Sequence, residues 1–111
     1  MITDKTINKL YDEQDGCCAW CGRKFTSMNP MHVHHAIYAR KKRFANWLDM
    51  PENLVALCSR CHLDNHGFMT SWRMRRHWWW YKIRLGYKMD EWSESIPMII
   101  KDNFYDLTNE K

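Results

Sequence analysis

Val33-His34-His35-Ala36, then a basic loop, then Asn53-Leu54-Val55-Ala56-Leu57-Cys58-Ser59-Arg60-Cys61-His62, and finally His66: this stretch organises the chain. It holds four of the six histidines and two of the five cysteines. A second cysteine pair, Cys18-Ala19-Trp20-Cys21, stands just upstream. The pairs Cys18/Cys21 and Cys58/Cys61 are two C-x2-C units, the spacing with which a tight turn offers two thiolates to one tetrahedral ion. Together they predict a structural zinc site of four cysteines. Gly22 follows the first pair and lets the backbone reverse beside the metal. Cys17 to Cys21 has x3 spacing, which suits a knuckle less well, so Cys17 reads as a small buried hydrophobe.

The second cysteine pair falls where a short helix should begin, near Ser59. The positive helix end favours thiolates there. His62 and His66 are four apart and share a face of that helix. Cys61 and His66 are five apart, a rotation of roughly 140° about the axis. One short helix can therefore offer a thiolate to zinc on one side and two imidazoles to a different cation on another. His34, from a strand predicted over Met31 to Tyr38 with Asn53 to Leu57 as its return partner, completes a three-nitrogen set. Such a set leaves positions open for water and a phosphate oxygen.

These residues resemble the HNH nuclease family, also called ββα-metal nucleases. The likeness rests on Cys18-x2-Cys21-Gly22, the doublet His34-His35, Asn53-Leu54, and Cys58-x2-Cys61-His62-x3-His66, and it covers roughly residues 10–68. It implies a β-hairpin followed by a helix, with one divalent cation between them held by His34, His62 and His66. It implies that His35 is the general base and that Asn53 holds the loop and the base in position. The family's doublet often begins with Asp. His34 in that place makes the site richer in nitrogen, so the cation can be Mg²⁺, Mn²⁺, Ni²⁺ or Zn²⁺. Strict strand alternation pairs His32 with His34 and aims His35 at the other face, which leaves His32 as a candidate outer-shell residue.

Charge places the partner. Residues 1–15 carry two Lys against four acids, a net of −2. Residues 16–88 carry thirteen Lys/Arg against three acids, a net of +10, and residues 89–111 two Lys against six acids, a net of −4. A basic middle between acidic ends is the footprint of a polyanion-binding surface, and the resemblance implies that the polyanion is DNA. Arg40-Lys41-Lys42-Arg43 sits where it can grip phosphates beside the cut. Arg73, Arg75, Arg76 and Lys82 are further candidates.

At 111 residues the chain reads as a single domain, 1–111, with a nuclease core at about 10–68 and a helical extension over 69–111. Its fold class is a small zinc-stapled α+β protein: a ββα-metal, treble-clef-like core, an N-terminal helix near 4–14 capped by Thr3, and a long Trp-rich C-terminal helix. That helix is expected over Thr70 to Leu85. Met74, Trp78, Tyr81 and Leu85 form one apolar stripe on it, and Trp72, Trp79 and Ile83 a second on the opposite side. A helix with two apolar faces needs two partners: one is the body of the domain, and the other is a second subunit, the C-terminal tail or nucleic acid, with a homodimer through residues 70–111 as the expectation. Ser95-Ile96-Pro97 is the expected start of a last helix, with Ile100, Phe104 and Leu107 on one side. No apolar run is long enough for a membrane span, and the N-terminus lacks a signal-peptide core. The expected place is the cytoplasm, by resemblance that of a bacterial or phage-infected host cell. Two rival readings share the zinc: a non-catalytic nucleic-acid-binding module, which has no use for His35 or Asn53, and a structural protein joined to an assembly through its Trp-rich helix.

Overall fold

A computed structural model describes residues 2–36, 45–64, 66–69 and 71–95, without the side chains of Ala45, His66 and Trp72. The basic run Arg40–Arg43 and the expected helix from Ser95 onward, with Ile100, Phe104 and Leu107, lie outside these residues, apart from Ser95 itself.

Helix α1 (Asp4–Glu13) opens as its sequence demands. The Thr3 hydroxyl accepts from the Thr6 N–H at 3.2 Å, and Asp4 lies in the positive first turn. Asp15 and Gly16, both at positive φ, close it, and the Gly16 N–H returns to the Tyr11 carbonyl. Glycine is favoured there by its φ of 68°, and a Cβ would also stand 2.7 Å from the Tyr11 hydroxyl, so that ring would have to shift.

Strands β1 (Met31–His35) and β2 (Leu54–Cys58) pair antiparallel, with Met31 opposite Cys58 and His35 opposite Leu54. The return strand starts one residue later than expected, because Pro51–Asn53 form a 3₁₀ turn that takes up Asn53. Every residue of β2 is buried. Leu54 and Ala56 lie under Leu10 of α1, and Val55 and Leu57 under Met69, Met74 and Trp78. A strand covered on both faces reads as a continuous apolar run, and Leu54-Val55-Ala56-Leu57 is one. Its outer edge is closed by a side chain: the Gln14 amide donates to the Ala56 carbonyl and accepts from the Ala56 N–H, both at 2.9 Å.

Helix α2 (Ala45–Leu48) precedes the 3₁₀ turn, and α3 (Ser59–Asp64) follows β2 directly. Asn29 caps α3 from across the hairpin, its side-chain oxygen accepting from the Arg60 N–H and the Ser59 hydroxyl. After the short α4 (His66–Met69) comes α5 (Trp72–Arg84), capped by Ser71, whose hydroxyl accepts from the Met74 N–H.

Met74 and Trp78 of the first stripe are buried on β2, as the periodicity predicts, while Leu85 at its end is 36% exposed. Trp79 of the second stripe is buried by a helix not anticipated from sequence, α6 (Met89–Ser95), through Met89 and Trp92, together with Leu48 of α2. The Trp-rich helix is therefore not the terminal element. Trp79 has its cover within the chain, and this packing gives the homodimer no support. Among the described residues no helix is long and apolar enough to cross a membrane.

Candidate metal centre and active site

The knuckle is a tight turn. The Cys18 N–H donates to the Arg23 carbonyl and the Gly22 N–H to the Cys18 carbonyl, with Gly22 at φ 77°. It brings Cys18 and Cys21 against Cys58, the last residue of β2, and Cys61, in the first turn of α3. All four sulfurs lie within 4.8 Å of one another. Cys21 and Cys58 are 3.7 Å apart, against about 3.8 Å for the edge of a tetrahedron with Zn–S bonds near 2.3 Å. The N–H groups of Trp20 and Cys21 donate to the Cys18 sulfur, which suits a thiolate. The cluster can hold a structural metal such as zinc. Burial pushes the Cys58 thiol up, but hydrogen bonds from the Cys61 backbone and the Asn29 side chain outweigh it and bring it down to about 6. Burial and the neighbouring thiols push Cys61 the other way, well above its ordinary value. Cys17 turns away, its thiol donating to the Asp15 carbonyl.

The histidines divide between the two faces of β1. His34 is buried, its Nε2 3.1 Å from the Met69 carbonyl. That contact places the proton on Nε2 and leaves Nδ1 as the basic nitrogen. The His34 and His62 rings have centroids 5.6 Å apart. His32 and His62 meet through their Nδ1 atoms at 3.0 Å, one ring donating to the other. Among the described residues the four cysteines are the one group of three or more such side chains whose ligand atoms lie this close together. The side chain of His66 lies outside the described residues.

At the end of β1, on the face opposite His34, His35 meets Asp49, with Nε2 2.8 Å from Oδ1. Burial raises the Asp49 carboxyl, but hydrogen bonds and positive charge, first from His35 and then from the N-terminal amine, together outweigh it and hold it below the ordinary carboxylate value. Asn53 is buried beside them. Its amide donates to the Leu48 carbonyl at 2.9 Å, its own N–H to the Met50 carbonyl, and its carbonyl accepts from the Ala36 N–H. Two of these bonds brace the 48–53 loop internally, the third ties it to the residue after His35, and Asp49 rides on that loop.

Sequence spacing did not reveal Asp49. The available signal is compositional: it is one of only three acids in the basic middle of the chain. Lys82 must be reassigned. It is 1% exposed, pairs with Glu13 at 2.9 Å, and lies over the Tyr87 ring, so it pins α5 to α1 and is not available to DNA. Burial lowers its ammonium, and Glu13 works against that shift. Arg73 and Arg76 are exposed, whereas Arg75 is half-buried.

Residues 18–68 match the family model for HNH endonuclease. This segment is an HNH domain. It spans the knuckle, both strands and helices α2 to α3, and most of α4. No curated protein and no solved structure matches the chain. The four-cysteine cluster adds a zinc-knuckle character to the HNH domain. The family is one of nucleases, whose members use divalent metals and act on nucleic acid.

Proposed function

We propose that this chain is a metal-dependent DNA endonuclease. The observation that carries the reading is the His35–Asp49 pair, held by Asn53 at the end of β1 within the segment that matches the family. A non-catalytic zinc module has no use for a carboxylate-backed imidazole fixed in this way.

The chain's own groups account for the proton steps. Asp49 accepts from Nε2–H of His35 and so fixes the tautomer with Nδ1 as the proton acceptor. Nδ1 takes a proton from water as the water oxygen forms a bond to phosphorus. The bond from phosphorus to a deoxyribose oxygen breaks, and that oxygen leaves with a proton from solvent. The imidazolium formed on His35 lies against the Asp49 carboxylate. Asn53 is a positioning residue. His34 through Nδ1, and His62 and His66, would hold the divalent cation, with His32 orienting His62 from the outer shell. When bound, that cation stabilises charge on the phosphate and on the leaving oxygen. Arg40, Lys41, Lys42 and Arg43, with Arg73 and Arg76, would grip flanking phosphates.

The test is plasmid cleavage by zinc-loaded protein with added Mg²⁺, Mn²⁺, Ni²⁺ or Zn²⁺. Wild type should cut, and His35→Ala should cut roughly 10²- to 10⁴-fold more slowly with fold, zinc and DNA binding retained. Equal rates for the two proteins would remove His35 as the base. No cutting with any cation would remove the nuclease reading.

A further inference from the structure

The outer face of α5 repeats one theme. Arg73, Arg76, His77, Trp80 and Arg84 fall within an arc of about 100° at helical spacing. No acid occurs anywhere in Trp72–Arg84. Trp80 is 38% exposed, and next to this face Trp20 of the knuckle and Phe68 of α4 are each 44% exposed. The three elements join through rings: Trp20 contacts His77 at 5.5 Å and Phe68 at 5.8 Å between centroids, both edge-on. Neither knuckle folding nor zinc binding needs an indole at position 20, since the turn is made by backbone hydrogen bonds and Gly22.

This patch adjoins the histidine site. Ring contacts run from Trp20 to His77, from His77 to Trp78 at 4.7 Å, from Trp78 to His34 at 6.4 Å, and from His34 to His62 at 5.6 Å. Aromatic edges and faces open to solvent, flanked by guanidinium groups and free of carboxylates on their helix, suit a strand that offers both phosphates and unstacked bases. A paired duplex offers the phosphates but keeps its bases stacked inside.

Building on the nuclease reading for the choice of DNA, we propose that Trp20, Phe68 and Trp80 stack on unpaired bases while Arg73, Arg76 and Arg84 hold the phosphates beside them. The preferred substrate is then DNA with a single-stranded segment next to the cut. Charge complementarity selects nucleic acid over an apolar protein partner for this face. The aromatic rings select single strands over plain duplex.

The experiment uses the full chain carrying one zinc per chain, with excess cation removed and the probes checked for intactness on a gel, so that binding is read without cleavage. The probes are a 16-nucleotide single strand carrying 2-aminopurine and its blunt duplex. The single strand should bind more tightly than the duplex and change its 2-aminopurine emission on binding. Trp20→Ala and Trp80→Ala should each weaken single-strand binding roughly five- to a hundredfold and duplex binding less than about twofold. Arg73→Gln should weaken both. Equal affinity of wild type for the two probes, or aromatic variants that bind the single strand as wild type does, would overturn the proposal. Trp80→Ala carries the test alone if Trp20→Ala loses zinc. Plasmid cleavage by wild type is measured separately: a chain that binds single strands through these residues but cuts nothing keeps this surface and loses the nuclease reading. A chain that cuts while its aromatic variants bind normally does the reverse.

Discussion

Replacing Asp49 with alanine should slow cleavage by roughly 10- to 100-fold and leave the fold and the zinc in place. The magnitude follows from the pair's geometry. His35 Nε2 and Asp49 Oδ1 are 2.8 Å apart, with side chains 25% and 19% exposed. A hydrogen bond to a charged group contributes about 1.5–3 kcal/mol. The partial exposure places this one toward the lower end. Its strength rises as His35 becomes an imidazolium, so most of it is felt in the transition state, where each 1.4 kcal/mol is about tenfold in rate. Single-turnover conversion of supercoiled plasmid measures the rate. Long-range proton–nitrogen NMR of His35 should show Nε2–H in wild type and a mixed or Nδ1–H tautomer in Asp49→Ala. Asp49→Glu should restore part of the rate. A variant that cuts within twofold of wild type, with His35 in an unchanged tautomer, would refute the dyad and return Asp49 to the status of a loop residue.

Cys58→Ser should lose zinc and the cooperative melt together, since metal binding contributes folding energy directly; zinc content and melting temperature read both, and unchanged values would sink the four-cysteine site. Asp49 also gives a pH signature: its carboxyl lies below the ordinary 3.8, so the pair's stabilisation is present above that pH and is lost as pH falls through the lower folded value. Urea unfolding of wild type against Asp49→Asn should therefore converge in acid, and a difference that grows there would contradict the assignment. Lys82→Met should destabilise the chain by about 3–5 kcal/mol, because it strands the largely buried Glu13 carboxylate. The salt slope of DNA binding should not change in Lys82→Met but should fall by about 1 in Arg73→Gln. The opposite pattern would put Lys82 back on the DNA.

The four-cysteine centre was legible because its information is local. Two turns each need two thiolates at one spacing, and Gly22 and Ser59 mark the turn and the helix start. The first stripe of α5 was legible for the same reason, its period belonging to one helix. Lys82 was misread because its charge suggests solvent, and the partner that buries it is 69 residues away on α1. Helix α6 was missed because only Met89 and Trp92 point inward as apolar side chains, and two positions do not make a period. Thus the sequence left a second subunit, the acidic tail and nucleic acid as covers for the second stripe, and the first turns of the tail are what cover Trp79. Asp49 was invisible for a different reason: the loop that delivers it is shaped by three backbone-directed bonds through Asn53, and no spacing rule encodes them.

The Gln14 amide, which satisfies both backbone groups of Ala56, has a consequence for how the chain can be shortened. A strand with five buried residues is also a template for adding strands from other copies, unless its free edge is occupied. Here the Gln14 side chain, delivered by the end of α1, fills that edge at its middle together with the Ala19 N–H, which also donates to the Ala56 carbonyl. The first sixteen residues thus guard solubility as much as they complete the core. A chain trimmed to the HNH match would keep only the Ala19 N–H on that edge and free the Ala56 N–H, so it should aggregate more readily than the full chain.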